Sequence, residues 1–263
     1  MLTLCDVQGI EENSGETIFY VDSDDWTASR QASLDEFVID NKPIRFLGPE
    51  EMEQRDWNAE WEASIQPERV TERLVITPSW HKEEALKMGA EQLIVIDPKM
   101  SFGTGHHETT RLCLRALELL DCKDKSVLDL GTGTGVLAIY ALMLGARHAI
   151  AVDTDEWSIQ NAHENRLLNH IDESQLEIRA GTLASVIGND EPFELIVANI
   201  HRNVLLEIAS QLKEHIASGG TLILSGLLQY DSDEVRAKYE NVGFTFEQQT
   251  SENEWISLRF SCK

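Results

Sequence analysis

Three stretches of this chain carry residue types at spacings that suit holding a nucleoside and orienting an amine. Val127-Leu-Asp-Leu-Gly-Thr-Gly-Thr-Gly-Val136 runs an apolar strand into a glycine turn. Glycines let the backbone turn sharply and approach a ligand closely, and the first amides of the helix that follows supply hydrogen-bond donors. Ala149-Ile-Ala-Val-Asp153 ends the next strand on a carboxylate, which can accept both hydroxyls of a ribose. Glu194-Leu-Ile-Val-Ala-Asn-Ile200 sets Asn199 at the carboxyl end of a later strand. An amide there offers one acceptor oxygen and two donors, and so can orient an amine or contact the amino-acid part of a cofactor.

The glycine spacing discriminates between nucleotide chemistries. A dinucleotide-binding turn reads G-x-G-x-x-G. Here Gly131, Gly133 and Gly135 alternate, and Val136 stands where the third glycine would be. With Asp129 just before it, this pattern resembles motif I of the class I methyltransferases. Asp153 alone does not choose the cofactor, because a ribose partner also fits an NAD site. Its structural alternative, capping the following helix, falls more naturally to Asp155. Asn199 read alone is also a turn-forming residue; its place resembles the Asn that opens motif IV of many N-methyltransferases.

The elements that must position these residues alternate regularly. A helix over Glu108–Leu120 precedes strand Ser126–Leu130, helix Val136–Leu144 and strand His148–Asp153. Helix Glu156–Asn169, strands near Leu176–Arg179 and Glu194–Ala198, and helix Val204–Ile216 follow, with Ser218-Gly-Gly220 as the stop signal. Strand Thr221–Ser225, helix Asp231–Asn241 and an antiparallel pair, Phe244–Gln249 and Trp255–Phe260, close the chain. Such alternation predicts a mostly parallel sheet covered on both faces, with an antiparallel edge. Upstream, strand pieces Val7–Ile10, Thr17–Val21 and Ile44–Leu47 and a helix Ala28–Phe37 form a small α+β unit. Residues 1–50 are therefore read as a first domain, 51–70 as a linker helix with Trp57 and Trp61 on one face, and 71–263 as the main domain.

Composition narrows the setting. The 263 residues are 42% hydrophobic, as in ordinary globular proteins, and carry a formal charge of −24. A surface this acidic repels phosphates, which argues against direct nucleic-acid binding, and it attracts basic partners. No apolar run approaches the roughly 18–20 residues that span a bilayer, and the first residues lack the basic and apolar regions of a signal peptide. Cys5, Cys113, Cys122 and Cys262 are scattered without ligand spacing. A cytoplasmic protein with reduced cysteines is the expectation.

A longer stretch is more specific than any of these. Ile96-Asp-Pro-Lys-Met-Ser-Phe-Gly-Thr-Gly-His-His-Glu-Thr-Thr110 is similar to the signature D-P-G-x-A-F-G-T-G-T-H-P-T-T of the bacterial ribosomal protein L-eleven methyltransferase family. Asp56-Trp-Asn-Ala-Glu-Trp61, Thr77-Pro-Ser-Trp80, Leu137–Ala146 and Val197–Ile200 continue the likeness over about four fifths of the chain. The resemblance implies a doubly wound, seven-stranded class I methyltransferase domain behind a small ferredoxin-like recognition domain. It implies contacts to S-adenosylmethionine at Thr110, Gly131, Gly133, Asp153 and Asn199, with the Phe102-Gly103-Thr104-Gly105 loop over the cofactor. It also implies methylation of lysine and N-terminal amines on a basic ribosomal protein, with Asn199 as the catalytic residue. Rival readings are a methyltransferase for another protein or small amine, a nicotinamide oxidoreductase, and a binding module without catalysis.

The sequence departs from the family in places. His106 and Glu108 replace Thr and Pro, and Thr132 and Thr134 stand where Cys and Ser are common. Adjacent His106 and His107 are poorly placed to share one tetrahedral metal, and none is expected. The first strand and helix of the ferredoxin-like unit are not recognisable in residues 1–50, so either the module is reduced or the true start lies upstream.

Overall fold

The computed structural model describes residues 7–13, 16–23, 26–40, 47–49, 65–97, 99, 101–188 and 192–263. Most of the expected strand at 44–47 and the Trp57/Trp61 helix lie outside the described residues. The chain divides into two compact units, Met1–Trp57 and Asn58–Lys263. In the first, β1 (Val7–Asn13) pairs antiparallel with β2 (Glu16–Val21), and a helix spans Ala28–Asp40.

The second unit begins with a small sheet that periodicity alone did not reveal. β4 (Leu74–Thr77) is its middle strand, with β3 (Glu68–Arg69) antiparallel on one side and β5 (Gln92–Val95) parallel on the other. The main sheet follows from β6 (Ser126–Leu130), β7 (His148–Asp153), β8 (Leu176–Ala180), β9 (Phe193–Asn199), β10 (Ile216–Leu228), β11 (Phe244–Glu252) and β12 (Trp255–Cys262). Their order across the sheet is β11-β12-β10-β9-β6-β7-β8, and β12 runs against the other strands.

Side chains alternate faces along each strand, so a sheet buried on both sides needs unbroken apolar runs. Val127, Ala149, Ala151, Leu195, Val197 and Ile223 face one core, with Cys113, Leu114 and Leu117 of helix Glu108–Glu118 and the helix Val136–Met143. Leu128, Ile150, Val152, Ile196, Leu222 and Leu224 face the other, against helices Arg202–His215 and Ser232–Asn241. This is the doubly wound arrangement expected. The connections diverge between β6 and β9, and ligands of such sheets bind at the carboxyl ends of the strands beside that switch point.

One punctuation signal acts differently from its sequence reading. The helix stops at His215, and Ile216 is already extended and paired with Phe193. The next pair is Thr221 with Leu195, so Ser218-Gly-Gly220 forms an irregularity inside β10 rather than the helix stop. The final hairpin turns at Asn253-Glu254, with Asn253 at φ +53.

Candidate active site

The glycine turn after β6 is held from three directions. Gly131 and Thr132 donate their amides to the Val152 carbonyl at 2.8 and 3.0 Å, tying the turn to β7. Gly133 donates its N–H to Asp153 Oδ2 at 2.9 Å, and Asp155 donates to Asp153 Oδ1 at 3.1 Å. A carboxylate has about four acceptor positions, so Asp153 keeps capacity for further donors. Asp155, as expected, caps helix Glu156–Leu168 by accepting the Ser158 N–H at 2.8 Å.

Two of the three glycines are required by contact as well as by conformation. Gly131 sits at φ +71, and a Cβ there would lie 2.1 Å from Ile200 Cγ2. Gly133 sits at φ +54, and a Cβ would lie 2.2 Å from the Phe102 carbonyl oxygen. Both threonines that replace the family's usual residues are used. Thr132 Oγ1 donates to Asp129 Oδ2 at 2.6 Å, and Thr134 Oγ1 donates to the Gly103 carbonyl at 2.7 Å. Asp129 also accepts the Ala138 N–H at 3.2 Å, but its Oδ1 is buried without a partner. Burial pushes its carboxyl up to about 7, despite the Thr132 and Ala138 bonds that favour the ionised form.

The upstream loop closes onto this turn through its backbone. Thr134 donates its N–H to the Phe102 carbonyl at 2.9 Å, next to the Thr134–Gly103 bond. Ser101, Gly103 and Gly105 are buried and Thr104 is half-buried, whereas the Phe102 ring is 51% exposed. That ring lies 5.0 Å from the His107 ring, which in turn lies 4.8 Å from Trp255 at the start of β12. His107 caps helix Glu108–Glu118: its Nδ1 accepts the Thr109 N–H at 3.2 Å. The same Nδ1 lies 2.9 Å from the Thr109 hydroxyl. His106 turns elsewhere, with Nε2 3.1 Å from the Gln66 carbonyl. In the first turn of the same helix Thr110 is buried, and its Oγ1 has no partner.

An ionic network fastens this helix to the last hairpin. Arg111 and Arg115 reach Glu252 at 2.5 and 2.6 Å, and Asn253 donates to Glu108 at 2.9 Å. Burial opposes ionisation of Glu252, but the two guanidinium groups hold its carboxyl below the usual range. The hairpin tip is fixed from the other side by Gln229, which donates its backbone N–H to the Glu254 carbonyl and its side-chain amide to the Asn253 carbonyl. Trp255 is thereby kept beside His107.

Asn199 ends β9 in register with Ser225 of β10, and its Oδ1 is buried without a partner. Ile200, which follows, is packed between two glycines. Its Cγ2 covers Gly131, and a Cβ on Gly226 would lie 2.4 Å from the Ile200 carbonyl oxygen. The fold thus gathers the expected residues around the strand ends: Gly131 and Gly133 in the turn, Asp153 ending β7, Asn199 ending β9, and Phe102–Gly105 clasped to Thr134. Unsatisfied acceptors at Asn199 and Asp129 and an unsatisfied hydroxyl at Thr110 fit a ligand that brings both donors and acceptors.

Sequence reading missed Ile200, Gly226, Trp255 and a row of asparagines, Asn161, Asn165 and Asn169. The asparagines did leave a signal, since i, i+4, i+8 spacing places all three on one helix face.

The family model described as Ribosomal protein L11 methyltransferase (PrmA) matches residues 6–263. A protein of Bacteroides thetaiotaomicron named ribosomal protein L11 methyltransferase is 40% identical over 241 residues, which cover 88% of this chain and 84% of the relative. One of the same name from Chlorobaculum tepidum is 38% identical over 255 residues, covering 95% and 87%. The crystal structure of a ribosomal protein L11 methylase from Lactobacillus delbrueckii subsp. bulgaricus superposes with a TM-score of 0.69 at 32% identity, over 76% of this chain and 100% of that one.

Proposed function

The chain belongs to the ribosomal protein L11 methyltransferase (PrmA) family, and from that premise we propose that it methylates lysine and N-terminal amines of a basic large-subunit ribosomal protein. It is an S-adenosylmethionine-dependent methyltransferase, and the family sets aside the oxidoreductase and non-catalytic readings. In this reading Asp153 receives the ribose hydroxyls on its free acceptor positions. Gly131 and Gly133 let the backbone approach the cofactor, and Thr110 and the Phe102–Gly105 loop complete its enclosure. Bound S-adenosylmethionine supplies an electrophilic methyl group on a sulfonium sulfur.

What the chain adds is alignment and exclusion of water. Asn199 is the residue that touches the reacting amine: its Oδ1 accepts an N–H and turns the nitrogen lone pair toward the methyl group. A lysine amine, with a pKa near 10.4, must first lose a proton, at a cost of about 4–5 kcal/mol at pH 7. In this reading His107 is a structural residue rather than the base, its Nδ1 being engaged with Thr109 at the start of the helix. Solvent takes the proton before the amine enters. The half-exposed Phe102 ring, with His107 and Trp255 behind it, offers an aromatic wall to the incoming side chain.

The observation that carries this reading is the buried, unpartnered Asn199 Oδ1 at the end of β9. The formal charge of −24 favours encounter with a basic protein rather than with nucleic acid. Mass spectrometry of purified ribosomal proteins, incubated with the enzyme and isotopically labelled cofactor, tests it. Mass shifts in multiples of one methyl group on a single basic protein support the reading. Label on a different protein or a small amine, with that protein unmodified, refutes it.

A further inference from the structure

We propose that Asn165 is a positioning residue for methyl transfer, closing a ring that couples the loop over the cofactor to the glycine turn beneath it. Asn165 is fully buried. Its Oδ1 accepts the Asp97 N–H at 3.0 Å, and its Nδ2 donates to the Thr134 carbonyl at 3.0 Å. Asp97 begins the segment that leads to Phe102, and Thr134 clasps Phe102 and Gly103 at that segment's far end. One side chain therefore ties the stem of the loop to the residue that holds its tip. The path runs from Asp97 along the chain to Phe102, across to Thr134, and back through Asn165.

Its neighbours on the same helix face act on the stem alone. Asn161 donates Nδ2 to the Asp97 carbonyl at 3.0 Å. Asn169 accepts the Val95 N–H at 2.9 Å and donates to the Val95 carbonyl at 2.7 Å, supplying the bond pair that a further β-strand would make to β5. Asp97 is held from the outside as well, accepting the Ser79 N–H at 2.6 Å and the Ser79 hydroxyl at 2.8 Å. The stem is thus anchored several times over, while the link from stem to turn passes through Asn165. A buried amide that satisfies two backbone groups at once has no apolar substitute, since losing it strands both. An amide also distinguishes its two ends: it needs an acceptor facing Asp97 and a donor facing Thr134. An ionised aspartate of the same shape offers only acceptors, and sets an oxygen against the Thr134 carbonyl.

This inference rests on the cofactor reading above, and the test separates the two. The full-length protein, Asn165→Asp and Thr134→Val are compared by calorimetric titration with S-adenosylmethionine, by steady-state methylation of the purified ribosomal protein, and by amide hydrogen exchange. Thr134→Val loosens the same ring at its other end, removing the Oγ1 bond to Gly103 and leaving the backbone bond to Phe102 as the remaining link. For each variant we expect cofactor affinity at least tenfold weaker, kcat lowered at saturating cofactor, and KM for the protein substrate little changed. Exchange at the Thr134 amide should accelerate ahead of amides in β6 and β9. A role confined to global stability would speed exchange in all of these together and leave affinity and kcat intact below the melting range; that outcome overturns the proposal. Should Asn165→Asp not fold, Thr134→Val decides, and normal affinity and turnover in it overturn the ring. If the unaltered protein binds no S-adenosylmethionine, the functional reading fails and the proposal with it.

Discussion

Ile200 Cγ2 occupies the space that any side chain on Gly131 would need, because an added Cβ would lie 2.1 Å from it. Through this contact the end of β9 and the turn after β6 fix each other, and Asn199 is one residue away. Gly131→Ala meets two separate costs. The positive φ disfavours a Cβ by about 1–2 kcal/mol, and overpacking against Ile200 adds roughly 1–3 kcal/mol. Only the second depends on Ile200. In chemical denaturation, Gly131→Ala combined with Ile200→Ala should be at least about 1 kcal/mol more stable than the sum of the single effects predicts. Strictly additive losses would show that the contact does not constrain the turn.

Asp153→Ala should weaken S-adenosylmethionine binding by about 1.5–3 kcal/mol, the range for hydrogen bonds to a charged group. The substitution also frees the Gly133 and Asp155 amides, both now bonded to the carboxylate. Asp153→Asn keeps an acceptor for one of them and should lose less affinity than Asp153→Ala. Calorimetry that finds wild-type affinity in a folded Asp153→Ala protein would falsify the ribose assignment.

Asn199 should separate turnover from binding. If its Oδ1 orients the amine, Asn199→Ala lowers kcat by roughly 10²-fold or more, as misplacement of a reacting group does, with a smaller loss of cofactor affinity. Steady-state kinetics at saturating cofactor provide the check. A variant that binds cofactor poorly yet reaches the normal kcat would make Asn199 a cofactor ligand only.

The strand ends and glycine turn were legible because period, spacing and residue type all point the same way there. An apolar run, three alternating glycines and a carboxylate ending the next strand leave few other folds. Thr132 and Thr134 were visible as departures, but their partners, Asp129 and Gly103, emerge only when the turn is built. Ile200 was not legible, because nothing in an isoleucine beside an asparagine says that it fills the space of two glycines. The sheet of β3, β4 and β5 escaped periodicity because its strands are only two to four residues long. Ser218-Gly-Gly220 misled because a glycine pair after a helix serves equally as a stop or, as here, as slack within a strand.

Stability should fall as pH rises through the weakly acidic range on account of Asp129. Burial pushes its carboxyl up to about 7, well above the ordinary carboxylate range, so the folded chain binds this proton more tightly than the unfolded chain does. Below about pH 4 both states are protonated and there is no penalty; between about 4 and 7 the penalty grows, and above 7 it is constant. Its size is on the order of a few kcal/mol. Asn in its place keeps an acceptor for the Thr132 hydroxyl and the Ala138 N–H without the charge. The stability of Asp129→Asn relative to wild type should therefore rise from pH 4 to pH 7 and then level off. A difference that stays flat over that range would mean that Asp129 ionises normally in the fold.

Finally, the first unit should govern substrate choice and contribute little to cofactor binding. Both apolar clusters are formed by residues from Val70 onward, so the second unit carries its own core. Every residue assigned to the cofactor lies beyond Ser101, whereas the described part of the first unit is a two-stranded ribbon and a helix without a catalytic constellation. Two strands and one helix offer an edge for pairing and a face for docking, which suits recognition of a folded protein better than chemistry. Deletion of residues 1–57 should then leave the S-adenosylmethionine dissociation constant within about threefold of the full chain, or about 0.7 kcal/mol. Methylation of the ribosomal protein should drop by at least two orders of magnitude in kcat/KM, while slow methylation of a free lysine-containing peptide persists. A truncated protein that methylates the ribosomal protein at full efficiency would transfer the recognition role to the catalytic unit itself. Loss of cofactor affinity together with a lowered melting temperature would instead show that residues 1–57 support the catalytic fold.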